Sequence, residues 1–282
     1  MSCAESAVGF ACHDAQLCGI LSLPRQPVSR GVLIVVGGPQ YRAGSHRQFT
    51  LLARFLAARG IPVFRFDYRG MGDSGGDARS FEDVGDDLRT AIDKFSETMP
   101  GLAEVVIWGL CDAASAALFY AHQDRRVTGL VLLNPWVRTE QGIAKTYLKH
   151  YYRSRFFERA LWDKVLRGRF DWLAAARSFS ALVREGFGRQ RGTMGAACDA
   201  PLPQRMLDGF RRFDGRVLLI LSGNDLTAKE FLELADGSRD WQGLLKSRRV
   251  QRHDLPLANH TFARREWRDQ VAAWTHDWMK TW

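Results

Sequence analysis

Short runs of consecutive apolar residues alternate along this chain with longer segments in which apolar residues recur every three or four positions. That alternation predicts strands of a mostly parallel sheet separated by helices. Residues 17–23 read as a first strand, and residues 32–36 form a continuous apolar run ending at Gly37-Gly38-Pro39. Phe49, Leu52, Phe55 and Leu56 then share one face of a helix over 49–59 that Gly60 closes. Residues 63–66 make the next strand, entered through Pro62, where a missing N–H is tolerated. A helix over 81–95 follows, with Glu82, Asp83, Asp86 and Asp87 near its N-terminus, where carboxylates complement the helix dipole. Residues 105–108 and 130–133 are two further buried strands around a helix of small residues, 113–121; residues 216–221 and 248–255 are the last two, and 262–282 is a closing helix. Trp267, Val271, Trp274, Trp278 and Trp282 form a stripe at helical spacing on that helix, expected to pack on the sheet and not to bind a membrane.

Between residues 137 and 213 the alternation stops. The stretch is rich in Arg, Tyr, Phe and Trp at helical spacings such as Leu148, Tyr152 and Phe156, with a Gly- and Pro-punctuated loop over 186–203. The organisation expected is therefore a core made of residues 1–136 and 214–282, interrupted by a helical cap inserted at 137–213.

Composition sharpens this picture in three places. With 46% hydrophobic and 25% charged residues the 282-residue chain is globular and can bury a large core. The net charge of +9 is local: residues 137–213 hold sixteen Lys and Arg against seven Asp and Glu, which leaves 24 of each sign elsewhere. A basic segment without a helix-turn-helix, OB or RRM pattern argues against nucleic acid as the partner. It fits an anionic partner, such as an acyl-phosphopantetheine carrier, a CoA thioester, an acidic polysaccharide ester or an anionic lipid surface, as well as it fits a solvated basic face. The five cysteines, at 3, 12, 18, 111 and 198, lack both the density of a disulfide scaffold and any C-x-x-C spacing for zinc. No apolar run approaches the ~20 residues of a membrane span, and no basic leader precedes an apolar stretch, so a cytoplasmic protein without a metal or organic cofactor is expected.

The chemistry-bearing segment is Val105 to Ala116, in which a strand runs through Gly109-Leu110-Cys111-Asp112-Ala113 into a helix. This is the nucleophile-elbow pattern G-x-S-x-G with Cys in place of Ser and Ala in place of the last Gly. A tight strand-to-helix turn strains the backbone of the nucleophile and brings its neighbours together, so small residues are needed on both sides. A thiol there also sits at a helix N-terminus, where the dipole favours thiolate. A buried structural cysteine is the competing reading of Cys111 alone. What shifts the balance is order: Asp225 follows the strand over 216–221, and His260 lies in the loop between the next strand and the last helix, the sequence nucleophile, acid, His that such a site requires. Taken singly, Asp225 would be a turn or cap residue and His260 a satisfied loop histidine. An oxyanion needs two donors; Asp112 N–H supplies one, and Gly38 N–H the other, with Gln40 as fallback because Pro39 has none. Gln40, Arg42 and His46 follow that loop and could line a substrate pocket, although Arg42 and His46 fit solvated or capping roles equally well. Gly70, Gly72 and Gly75 match G-x-G-x-x-G but open no helix, so they read as a structural turn whose backbone Asp67 and Arg69 hold.

Across nearly its whole length the chain resembles the α/β-hydrolase superfamily. Asp67-Tyr68-Arg69-Gly70-Met71-Gly72-Asp73-Ser74 is similar to that superfamily's D-x-R-G-x-G-x-S turn, and Val36-Gly37-Gly38-Pro39 to its H-G-G-P oxyanion loop with Val for His. More narrowly, the run G-G-P-Q-Y-R-A-G-S-H-R-Q-F and the elbow G-L-C-D-A resemble the exosortase A system-associated hydrolases of type 1, a family found beside bacterial exopolysaccharide loci. The resemblance implies an α/β-hydrolase fold and a hydrolase of undefined substrate. Cys111, Asp225 and His260 would act on an ester or thioester, small or carrier-bound, through a covalent acyl-thioester. Two alternatives stay open: an acyltransferase using the same residues, and a catalytically silent scaffold that binds an anionic partner.

Overall fold

A computed structural model describes residues 3–38, 40–137 and 200–282. The helical spacing at Leu148, Tyr152 and Phe156, Cys198, Pro39 and most of the expected loop over 186–203 lie outside the described residues.

Eight strands form one sheet: β1 (Ala4–Cys12), β2 (Ala15–Leu23), β3 (Arg30–Val35), β4 (Val63–Asp67), β5 (Glu104–Leu110), β6 (Val127–Leu133), β7 (Arg216–Ser222) and β8 (Val250–Leu255). Their spatial order is β1-β2-β4-β3-β5-β6-β7-β8. The β1–β2 and β2–β4 pairs are antiparallel and every later pair is parallel. The described helices are α1 (Gln48–Ala57), α2 (Gly85–Thr98), α3 (Asp112–Tyr120), α4 (Leu202–Arg212), α5 (Leu226–Asp236), α6 (Arg239–Leu245) and α7 (Arg265–Met279). This is the α/β-hydrolase fold, as expected.

The central strands are apolar throughout because both of their faces are covered. On one face Phe49, Leu52 and Leu56 of α1 and Val271, Trp278 and Met279 of α7 close over Ile34, Val106, Trp108, Val131 and Ile220. The tryptophan stripe therefore packs on the sheet, with Trp267, Trp274 and Trp282 partly buried against the same cluster. On the other face Phe64 meets Phe95 of α2 at 5.7 Å between ring centroids.

Sequence periodicity gives no sign of β1, whose residues Ala4 to Ser6 are exposed and whose composition lacks a β-branched alternation. Its strand conformation comes from nine residues paired to β2. The segment over 81–95 divides into a 3₁₀ turn, Phe81–Asp83, and α2, and the last helix begins at Arg265 because Phe262 turns the chain at φ 50°. Residues 203–282 belong to the same compact unit as residues 1–137, so α4 joins the core about ten residues before the boundary at 213 read from the sequence. Its Met206, Leu207 and Phe210 are buried, and Gly209 lets α4 approach α3 so closely that a Cβ there would lie 2.1 Å from the carbonyl oxygen of Leu118.

Candidate active site

The parallel strands β5, β6, β7 and β8 end side by side, and the loops that leave the carboxyl ends of β5, β7 and β8 carry Cys111, Asp225 and His260. Cys111 sits between β5 and α3 at φ 64° and ψ −124°, a left-handed backbone that a non-glycine residue adopts only under surrounding constraint. The constraint is visible: Cys111 N–H donates to Leu133 O at 2.9 Å, and its carbonyl accepts from Trp136 N at 3.2 Å and Ala114 N at 3.1 Å. The small residue expected at 109 is required, because a Cβ on Gly109 would lie 2.6 Å from the carbonyl carbon of Ala113.

Asp225 and His260 come together because the loops after β7 and β8 are zipped to each other. Gly223 N–H donates to Leu255 O at 2.9 Å and Asn224 N–H to Ala258 O at 3.0 Å. A glycine is needed at 223, where a Cβ would lie 2.3 Å from Pro256 O. His260 Nδ1 then lies 2.9 Å from Asp225 Oδ2. Asp225 is at the same time the N-cap of α5, accepting from Thr227 N at 3.3 Å and Ala228 N at 3.1 Å, so the cap role and the partnership with His260 coexist in one side chain.

Electrostatics follow from these contacts. Burial pushes the Asp225 carboxyl up, but the His260 hydrogen bond and charge together with the two α5 amides outweigh it and bring it below its ordinary value. For His260 the hydrogen bond to Asp225 is the largest effect and the one to the Cys111 side chain the next; together they overcome burial and raise the imidazole from 6.5 to about 10. The ring therefore carries its proton through the neutral range, held between a carboxylate and the Cys111 sulfur.

One strut of this site escapes sequence reasoning. Asn134, wholly buried at φ 44°, donates from Nδ2 to Ser222 Oγ at 2.8 Å and to His260 O at 3.1 Å, and accepts from Ser222 N at 2.9 Å. It clamps the end of β6 to the end of β7 and to the His260 loop. Asn134-Pro135 registers in the sequence only as the absence of a competing acid; the available signal was a polar residue placed directly after a fully apolar strand.

The residues expected to bind oxyanion and substrate are placed differently from one another. Gly38, at φ 55°, has its N–H aimed at the elbow, where it donates to Asp112 Oδ2 at 2.7 Å. Gln40 N–H is committed to Gly38 O at 2.8 Å, which removes it as a fallback donor, and its side-chain oxygen is buried without a hydrogen-bond partner. Arg42 is held by two aspartates of the 67–75 turn. Its guanidinium pairs with the buried Asp67 and, at 2.7 Å, with Asp73, and its own N–H donates to Asp67 Oδ1 at 2.7 Å. His46 lies exposed in a 3₁₀ turn at φ 53°. The 67–75 turn is structural as expected: a Cβ on Gly72 would lie 2.3 Å from Asp67 Oδ2, and Arg69 is anchored to the buried Asp87 of α2 at 2.8 Å. Among the described residues no cluster of His, Cys, Asp and Glu is arranged for a metal, and no helix is long and apolar enough to cross a membrane.

Comparison with known proteins accords with this geometry. Over its full length the fold is similar to an esterase from Pyrococcus furiosus, with a TM-score of 0.67 at 15% identity over 99% of this chain and 92% of that one. A dienelactone hydrolase from Anabaena variabilis gives a TM-score of 0.63 at 16% identity over 99% and 98% of the two chains. An acylaminoacyl peptidase from Pyrococcus horikoshii gives 0.63 at 13% over 99% of this chain and 41% of that one. No curated protein matches the sequence. The family model described as serine aminopeptidase, S33, matches residues 28–195, more than half of the chain. The chain thus belongs to the serine aminopeptidase S33 family and is a hydrolase of the α/β superfamily.

Proposed function

We propose that this hydrolase cleaves an ester or thioester through Cys111, with His260 as proton carrier and Asp225 as its orienting partner. The observation that carries the reading is the single line of hydrogen bonds Asp225, His260, Cys111 at an elbow whose backbone is held in the left-handed region. The family's usual nucleophile is serine; a thiol at that position surrenders its proton to a neighbouring imidazole far more readily than a hydroxyl does.

In the reaction the Cys111 sulfur attacks the substrate carbonyl carbon, forming the S–C bond. The resulting oxyanion is held by amides that include Gly38 N–H. The proton on His260 passes to the leaving oxygen or sulfur as its bond to carbon breaks, leaving an acyl-thioester on Cys111. Water, deprotonated by the now neutral His260, attacks the thioester, and its collapse returns the proton to the Cys111–His260 pair. The resemblance of the G-G-P-Q-Y-R-A-G-S-H-R-Q-F and G-L-C-D-A segments to exosortase A system-associated hydrolases suggests a carrier-bound or polysaccharide-linked acyl group. The basic surplus of residues 137–213, read as a cap, suits an anionic substrate.

The test is the intact mass of the protein after incubation with p-nitrophenyl acetate, alongside Cys111→Ala and His260→Ala. One acetyl adduct on the natural protein, absent from Cys111→Ala and slow to form in His260→Ala, is the expected result. An adduct that persists in Cys111→Ala overturns the reading.

A further inference from the structure

The two amides that an acyl-transfer site of this fold would aim at an oxyanion, Gly38 N–H and the N–H of Asp112, converge on a place that is already filled. The side chain of Asp112 folds back over its own turn. Its Oδ2 accepts from Gly38 N at 2.7 Å and its Oδ1 from Ala113 N at 2.9 Å. The Gly38 distance is the one an oxyanion requires of its donor.

Helix capping explains only part of this. An aspartate in the first turn of α3 gains from the helix dipole and can accept from a neighbouring amide such as Ala113 N–H. The bond to Gly38 is a different matter, because Gly38 is on the loop after β3, 74 residues away in the chain. The loop is also cut to receive the carboxylate: a Cβ on Gly37 would lie 2.1 Å from Asp112 Oδ1. The glycine pair of the oxyanion loop therefore accommodates a side chain of the elbow itself.

We propose that Asp112 gates the oxyanion hole: in the free protein its carboxylate stands where the substrate oxyanion must form, and acyl transfer to Cys111 begins only when substrate displaces it. The proposal rests on the reading of Cys111 as nucleophile. Two negative groups cannot share one set of amide donors, since each needs the same N–H and each repels the other in a buried site. The charges facing Asp112 are consistent with a poised group. Burial raises its carboxyl above the ordinary range, against the Gly38 and Ala113 amides and the positive His260 ring, which lower it. On its other side the buried Tyr68 phenol is pushed up to about 12 by burial and by the charges of Asp112 and Asp87, so it stays neutral beside the carboxylate. The gate selects: an acyl donor that binds loosely seldom displaces the carboxylate and is attacked slowly, whereas one anchored elsewhere in the site can drive it out.

The experiment compares two reactions of Cys111 in the natural protein, in Asp112→Ala and in Asp112→Asn, with Cys111→Ala as background. One is acetylation by p-nitrophenyl acetate, which develops an oxyanion. The other is alkylation by iodoacetamide, which attacks sulfur without one and so reports thiol reactivity alone. Removing the carboxylate is expected to raise the ratio of acetylation to alkylation rates about tenfold or more, short of the ~10²–10³-fold attributed to an oxyanion donor. Asp112→Asn, which keeps the side-chain volume, decides if the truncation does not fold. An unchanged or lower ratio overturns the gate while leaving Cys111 as nucleophile. Alkylation of Cys111 with no acetylation in any of the proteins overturns the nucleophile reading, and the gate falls with it.

Discussion

Replacing Asp225 by Asn and by Ala separates its two roles, because the carboxylate makes three hydrogen bonds with two purposes. Oδ2 serves both His260 Nδ1 at 2.9 Å and Ala228 N at 3.1 Å, and Oδ1 serves Thr227 N at 3.3 Å. Asparagine has one oxygen. Turned toward His260 it keeps two of the three bonds and opposes an amino group to Thr227 N–H; turned the other way it keeps Thr227 and offers His260 a donor where an acceptor is needed. Either way the hydrogen bond that raises His260 most is lost or becomes one to a neutral oxygen, and the Asp225 charge is gone, so its pKa should fall from about 10 toward 6.5. Acylation of Cys111 at pH 8 should then drop by about 10²- to 10⁴-fold in both variants. Stability should divide them. Asparagine is as good an N-cap as aspartate, whereas alanine forfeits about 1 kcal/mol, equivalent to about 2–4 °C in Tm for a domain of this size. The pair itself stabilises the fold with a definite sign: the raised His260 pKa contributes fully below the unfolded value of 6.5 and is lost as pH rises through about 10. The Tm gap between the natural protein and Asp225→Asn should therefore narrow across that window. Rates come from intact mass against time, Tm from circular dichroism, and the His260 pKa from imidazole NMR shifts. An Asp225→Asn protein that acylates within about threefold of the natural rate, with His260 still titrating near 10, would reduce Asp225 to a helix cap.

Three further outcomes follow from the contacts around the site. Asn134→Ala leaves Ser222 N–H without its acceptor and frees the His260 loop, which should cost about 1–3 kcal/mol in urea unfolding and slow acylation while Cys111 remains alkylatable. Arg42→Ala strips a buried pair from Asp67 and should lower stability by about 3–5 kcal/mol without changing KM for a short ester; a raised KM at unchanged stability would place Arg42 in the pocket. Gly109→Ala places a Cβ against the backbone of Ala113, and it should abolish acylation and lower stability by about 1–3 kcal/mol, read by thermal unfolding beside the acylation assay.

The sheet was legible because its central strands are apolar on both faces and its helices carry one apolar stripe, so period alone separates them. β1 was not, since an edge strand with an exposed outer half has no pattern to show, and neither were α5 and α6, short helices whose starts depend on the side chains of Asp225 and Ser238 as caps. The elbow and the order of Cys111, Asp225 and His260 were readable because a tight turn restricts residue size and a parallel sheet restricts where loops emerge. The fate of the donors was not. That Gln40 N–H is spent on Gly38 O, that Arg42 is spent on Asp67 and Asp73, and that the Asp112 carboxylate takes the Gly38 N–H are facts about local geometry, which no spacing encodes.

Cysteine at an elbow whose family usually carries serine makes one exchange especially informative, Cys111→Ser. In the natural protein the ring of His260 is protonated at rest, in part through its hydrogen bond and charge interaction with Cys111. A serine hydroxyl is a nucleophile only once a base takes its proton, so the serine variant needs His260 neutral before attack, as a general base. In the natural protein the proton that releases the leaving group is already on His260. The acylation rate of the natural protein should fall as pH passes about 10, where His260 loses that proton. The serine variant should instead be slow at pH 7 and climb with pH along the titration of its own His260, which Asp225 still keeps above 6.5. Acetyl-adduct formation measured between pH 6.5 and 10.5 separates the two shapes without reference to absolute rate. A serine variant whose profile superimposes on the natural one would mean that His260 does not share its proton with residue 111, and the cysteine mechanism would have no basis.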